Sequence, residues 1–430
     1  MALHRHVKHL FELADSHFQT HYSFLFLVFN LVQCWKILLH SSLKVNRQSF
    51  DAFKAQFSKV SPATVRTVAE RVLKGDFHMN FTLEEMHVRD LLKQASHVTS
   101  QVPGANAAQI VMRNQICGLM IEKGLLSFYL TINPADVYNP IVKFLAGSDI
   151  DIDRMTTDQV PTFWSQSVLV ANNPIVCAKF FNIYMEAFVK ALLGFRGVDA
   201  ESDVGILGRV SAYYGCVEAQ GRGSLHCHML VWLAGSLDPN EIRDRIMHMN
   251  DTIFRDNLLA FLEDTISTSV PGDPLPDDVI PSSLFHPSSV HAPLLEGDLD
   301  LVWHRLQKDV HFLAQSSQVH HHTHTCFKYW RGPPEPRQCR FDLDERNNRP
   351  ISTVNEETGE IMLQCLDSMV NHYNVTMLAA LQCNMDIQFI GSGQSAKAIL
   401  YYVTDYITKT TQNACFTCSS RTRCEQDWRI

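Results

Sequence analysis

Apolar and polar positions change period several times along this chain, and the changes mark out its elements. Ser61–Lys74, SPATVRTVAERVLK, carries apolar residues at helical spacing behind a Ser-Pro start, so it is read as a capped helix. Ser49–Phe57 shows the same spacing, and residues 1–110 are expected to be a mainly helical N-terminal region. Within it Tyr22–His40 is strongly apolar, but Asn30, Gln33 and Lys36 interrupt it. Its uncharged stretch falls short of the roughly 18–20 residues a spanning helix needs, so a buried core helix is expected and no membrane partner. Leu125–Ile132, LLSFYLTI, is a short β-branched and aromatic run stopped by Asn133-Pro134, the pattern of a buried strand. Asn173–Phe195 returns to helical spacing.

Arg209–Leu233 reads as a β-hairpin, with VSAYYGCVEAQ and LHCHMLVWL flanking Gly221-Arg222-Gly223. Further on, 270–300 is rich in Pro, Ser, Gly and Asp and reads as a linker. Residues 301–349 are dominated by His, Cys, Pro and Arg with little apolar periodicity, and read as an insertion. Ser368–Leu381 is expected to be a helix, Met385–Ile390 a strand and Gln394–Thr411 a helix, with a cysteine-containing tail at 413–430.

Composition narrows the function classes. Hydrophobic residues at 46% supply a globular core, and the formal net charge of −8 excludes a uniformly basic coat. Any nucleic-acid site must therefore be local. Twelve cysteines are too few for a disulfide scaffold of this length, and no secretory signal opens the chain. Reduced thiols and an intracellular, nuclear location are the expectation.

His226 and His228 lie two apart in a strand, so both imidazoles project from one face. Closing the hairpin about Arg222 pairs Gln220 with Ser224 and Glu218 with His226. A carboxylate, an amide and two imidazoles then share a face, a donor set that suits a divalent ion with positions left for a phosphate oxygen. Three other H-x-H triplets occur in the chain, so context rather than the triplet carries the argument.

On the helix expected at 394–411, Ile399, Leu400, Val403 and Ile407 form a buried stripe. Tyr402 and Tyr406 stack along its edge with Lys409 one turn on, two phenols beside a phosphate-binding charge. His322, His324, Cys326 and Cys339 are a candidate zinc set. Cys415-x-x-Cys418 is at most a half-site. The stretch Gly391–Ala398 has Ala396 and Ala398 where a phosphate loop needs Gly and Ser or Thr, so it is no NTP site. Gly221-Arg222-Gly223 lacks the third glycine and following helix of a dinucleotide fold.

Taken together, SFYLTINPAD (Ser127–Asp136), VEAQGRGSLHCHMLVWL (Val217–Leu233), the His/Cys block through Cys339–Phe341 and YYVTDYITK (Tyr401–Lys409) resemble the Helitron transposase replication-initiator domain. That family is often labelled "Helitron helicase-like" and is one of the HUH endonucleases. The resemblance implies an α+β fold with a central antiparallel, ferredoxin- or RRM-like sheet, its first part at 111–269 around the metal hairpin 209–233 and its second at 350–412. It implies His226 and His228 as metal ligands for Mg²⁺ or Mn²⁺, with Glu218 or else Gln220 as the third. Tyr402 and Tyr406 match the paired nucleophiles that nick single-stranded DNA at transposon ends through a 5′-phosphotyrosine. Full Helitron proteins carry a helicase after this domain, so a fragment, a truncated copy or a stand-alone nuclease is expected, with a helicase domain missing from this chain as a candidate partner. Asp405 stands where a basic residue is common. The alternative reading is a decayed or domesticated copy that binds DNA or zinc without nicking.

Overall fold

A computed structural model describes residues 3–13, 15–44, 60–73, 81–152, 155–197, 203–219, 224–235, 237–272, 285–289, 299–327, 330–332, 343–355 and 359–391, with Ala55, Ser58, Arg337, Cys339 and Glu357 between them. The predicted helices at Ser49–Phe57 and Gln394–Thr411, and the tail, lie outside the described residues. Internal contacts divide the described chain into two compact units at Gly118/Leu119.

The first unit is helical: α1 (Leu3–Phe11), α2 (His17–Thr20), α3 (Phe24–Lys44), α4 (Pro62–Leu73), α5 (Leu83–Thr99) and most of α6 (Asn106–Lys123). The Ser61-Pro62 start holds, with Ser61 Oγ accepting from the Ala63 amide at 3.2 Å. Thr82 and Glu85 close a reciprocal cap on α5, and Arg71 reaches Glu85 across α4 and α5 at 3.0 Å. The expectation of a buried core helix at Tyr22–His40 is corrected. Phe26, Leu27, Trp35 and Leu38 of α3 are all more than half exposed, because its apolar residues surround the axis and its neighbours cover only one side. Among the described residues, Phe24–Ser41 is the one helical segment long and apolar enough to cross a membrane.

The second unit is built on a four-stranded antiparallel sheet of β1 (Phe128–Asn133), β2 (Val210–Ala219), β3 (Leu225–Leu233) and β6 (Asn384–Phe389), in the order β2-β3-β1-β6. A separate two-stranded ribbon joins β4 (Thr353–Val354) to β5 (Ile361–Met362). Alternation along each strand of the large sheet sorts its two faces. Phe128, Leu130 and Ile132 of β1, Cys227, Met229 and Val231 of β3, and Met385 and Ile387 of β6 form one face of the core. Helices cover it: α9 (Pro174–Ala187) through Phe181, α11 (Thr252–Thr265), which follows α10 (Pro239–Met247), through Leu262, α12 (Leu299–Leu313) through Val310 and Leu313, and α13 (Val375–Leu381) through Met377 and Leu378. Phe128 is wholly buried, and each such side chain contributes about 1.5–3 kcal/mol. A satellite core joins α7 (Pro140–Leu145), α8 (Phe163–Asn172) and α9 through Val142, Val170 and Phe180.

Two expectations change here. Residues 301–349 are not one insertion without apolar periodicity, because α12 runs into them and Leu306, Val310 and Leu313 recur at helical spacing. The helix expected over Ser368–Leu381 begins only at Val375, where Asn374 caps it by accepting from the Met377 amide at 2.9 Å. The preceding residues instead pair with neighbours, Tyr373 with Ser267 and Val370 with Val319.

Candidate metal centre

The second face of the sheet is polar around His226 and His228, while Leu230 and Trp232 further along β3 keep it apolar and buried. Strand register sets Glu218 of β2 opposite His226 of β3, and Cys216 opposite His228. On the other side of β3, Thr131 of β1 lies opposite His228, and Asp386 of β6 lies opposite Thr131. The β2–β3 ladder runs on to Ala219 opposite Leu225, and the alternation of β3 puts both imidazoles on this face while Cys227 and Met229 enter the core.

The three chemical groups converge. His226 Nε2 and His228 Nε2 are 3.0 Å apart, and Glu218 Oε2 lies 3.4 Å from the first and 3.7 Å from the second. A triangle with those edges has a centre about 2.0 Å from each corner, the length of a first-row metal–nitrogen or metal–oxygen bond. His226 is buried and His228 half-buried, and loss of solvent holds each below the ordinary histidine range. His228, with His226 alongside and Glu218 opposing, falls to about 4. The rings are therefore neutral near pH 7, the protonation state in which an imidazole can bind a metal.

The hydrogen bonding fits an ion. Glu218 Oε2 is buried with no hydrogen-bond partner, an acceptor aimed at two imidazole nitrogens. His228 Nδ1 lies 2.7 Å from the Tyr129 hydroxyl and 3.1 Å from Thr131 Oγ1. With the proton on Nδ1, donated to those oxygens, Nε2 presents its lone pair to the cluster, the orienting arrangement of metal-bound histidines. Tyr129 and Thr131 are functional partners that reading the hairpin alone misses. Their signal is alternation in the SFYLTI strand, which puts them on a common face. Gln220, Tyr402, Tyr406 and Lys409 lie outside the described residues.

A second group gathers beyond α12. His320, His322, Cys326 and Cys339 bring their ligand atoms within 4.8 Å of one another. The sequence expectation joins Cys326 and Cys339 to two of the four neighbouring histidines, taking His322 and His324; in the structure the two grouped with the thiols are His320 and His322. His324 is exposed at the start of the short turn His324–Phe327, whereas His320 Nε2 is 3.4 Å from Cys326 Sγ and 3.6 Å from Cys339 Sγ. The Thr323 amide hydrogen bond to Cys326 Sγ brings that thiol down to about 7.

No curated protein and no solved structure matches the chain. The family model described as the Helitron helicase-like domain at the N-terminus matches residues 6–231. That span takes in β1, β2, and Glu218, His226 and His228, and it covers just over half of the sequence. The chain belongs to the Helitron helicase-like N-terminal domain family.

Proposed function

We propose that this chain nicks single-stranded DNA and transfers the strand through a 5′-phosphotyrosine, with Glu218, His226 and His228 holding Mg²⁺ or Mn²⁺. The convergence of Oε2 and the two Nε2 atoms on one sheet face carries this reading. The strand order, with β1 and β3 central and antiparallel neighbours throughout, supports a ferredoxin-like nuclease core. The bound ion supplies Lewis acidity toward a phosphate oxygen of the DNA backbone. Glu218 brings negative charge to a pair of neutral imidazoles, leaving the site cationic enough once loaded to accept a phosphodiester. Tyr129 and Thr131 fix the ring of His228 so that no reorganisation is needed when substrate binds.

Tyr402 or Tyr406 serves as nucleophile. Its oxygen gives up the phenolic proton to solvent and forms the bond to phosphorus as the phosphorus–O3′ bond breaks, and the departing 3′-oxygen takes up a proton from solvent. A phenol with an ordinary value near 10 needs this help to react at neutral pH. The broken phosphodiester energy is kept in the phosphotyrosine, so a second strand can be joined without ATP.

The test is a covalent adduct. Full-length protein incubated with labelled single-stranded oligonucleotides and Mn²⁺ should yield a detergent-stable protein–DNA band. His226→Ala should abolish the band, and the Tyr402→Phe, Tyr406→Phe double variant should do the same. DNA binding with no adduct under any of these metals would favour the domesticated reading, to which Asp405 beside Tyr406 already points.

A further inference from the structure

We propose that His320, His322, Cys326 and Cys339 form a tetrahedral zinc site, separate from the sheet-face centre, that fastens the His/Cys-rich loop to the β6 side of the core. Four ligand atoms of zinc's preferred kinds lie within 4.8 Å of one another, two sulfurs and two imidazole nitrogens. Both cysteines are buried, and each thiol approaches the same atom, His320 Nε2. His320 and His322 are alternate residues whose rings meet edge-on at 5.0 Å, so both reach one side of the chain. Thr323 donates its amide to Cys326 Sγ at 3.4 Å, the kind of N–H···S contact that orients a thiolate ligand. On binding, the two thiols lose their protons to solvent and four protein bonds complete the coordination, with no position left for substrate.

The surroundings explain what such a site would hold. The chain just before it is already tied down. Ser317 O accepts from Asn384 Nδ2, the first residue of β6, and Val319 bridges to Val370. His320 itself donates its amide to Met369 O at 2.7 Å. Cys339 joins from beyond a proline-rich stretch that has few apolar residues to pack, so a metal supplies the closure that a hydrophobic core supplies elsewhere. The donor set differs in kind from Glu218, His226 and His228, since it contains sulfur and lacks carboxylate. The inference does not depend on nicking.

The full chain, produced in zinc-containing medium, should retain about one zinc per molecule through dialysis, and a mercurial thiol reagent should release it. Replacement by Co²⁺ should give tetrahedral d–d bands with a thiolate-to-cobalt charge-transfer band. Cys326→Ser, Cys339→Ser and His320→Ala should lose that band, while His324→Ala and His228→Ala keep it. Wild-type protein without tightly held zinc and without the charge-transfer band overturns the proposal, whatever the variants do. Loss of the band in His324→Ala, with His320→Ala intact, overturns the ligand set. An adduct-forming protein that holds no zinc would sink this site and leave the nickase reading standing.

Discussion

Tyr129 and His228, 99 residues apart, meet with their rings 7° from parallel and the phenol oxygen 2.7 Å from Nδ1. Thr131 Oγ1 reaches the same nitrogen at 3.1 Å, so the imidazole is held by two oxygens from the neighbouring strand. Removing one leaves the other in place. Tyr129→Phe should therefore weaken Mn²⁺ binding at the lower end of the 10–100-fold range seen for such orienting groups, and Tyr129→Phe with Thr131→Val should lose more than the two single changes combined. Isothermal titration with Mn²⁺ measures all three, and simple additivity would show that the hydroxyls do not back each other up.

Asp386 lies on the same face, opposite Thr131, and accepts from Gln388 Nε2 at 2.9 Å. Burial raises its carboxyl from the ordinary 3.8 to about 6, with Gln388 pulling the other way. Between those two values the native protein keeps a proton that the unfolded chain has released. Stability conferred by that proton is complete below pH 3.8 and is lost as pH rises through 6. Asp386→Asn should remove this part of the pH dependence and stabilise the metal-free protein at pH 8 by about 1–3 kcal/mol, with little effect at pH 4. Denaturant unfolding at the two pH values tests it. Equal effects at both would mean that the Asp386 carboxyl titrates alike in the native and unfolded chain.

Gly205 turns the chain into β2, with its amide donating to Gly208 O at 3.0 Å while Ile206 donates to Leu192 O at 2.9 Å. A Cβ at position 205 would collide with the Leu193 carbonyl, which is backbone and cannot rotate away. Gly205→Ala should cost about 2–3 kcal/mol of stability, in the range of overpacked sites, whereas Gly124→Ala meets no neighbouring atom and is limited by its positive φ. Thermal unfolding of the two variants ranks them.

The pairing of Glu218 with His226 is legible in the sequence because the glycines flanking Arg222 mark a turn between two strands adjacent in the chain, and the observed register agrees. Tyr129 is not legible as a partner of His228 in the same way, since 99 residues separate them and only the antiparallel pairing of β1 with β3 brings them together. The H-x-H periodicity offers both 320/322 and 322/324 as ligand pairs. What favours the first pair is distance, His320 Nε2 lying 3.4 Å and 3.6 Å from the two sulfurs, which the sequence cannot show. For α3 the composition is legible and its exposure is not, because burial depends on what packs beside it. Leu299–Leu313 shows a different lesson. Its apolar spacing is present in the chain but obscured by the histidines and charges between.

The identity of the third metal ligand makes the sharpest test of the sheet-face site. Glu218 lies near the end of β2 and Gln220 two residues on in sequence, so strand alternation in the sequence offers both as the third donor beside His226 and His228. Glu218 pairs directly with His226, and its Oε2 is buried without a hydrogen-bond partner at 3.4 Å from Nε2. Charge separates the candidates further, since a carboxylate attracts a divalent cation and an amide offers only a dipole. Glu218→Gln should keep the shape and lose the charge, lowering Mn²⁺ affinity at least about tenfold, which is about 1.4 kcal/mol. Gln220→Ala should leave affinity within about twofold, well under 1 kcal/mol. Mn²⁺ titrations followed by electron paramagnetic resonance read both directly, because bound and free ion differ in signal. If Gln220→Ala loses the ion while Glu218→Gln retains it, the third donor comes from the loop end of the hairpin and the triangle of Oε2 and two Nε2 atoms is not the coordination shell.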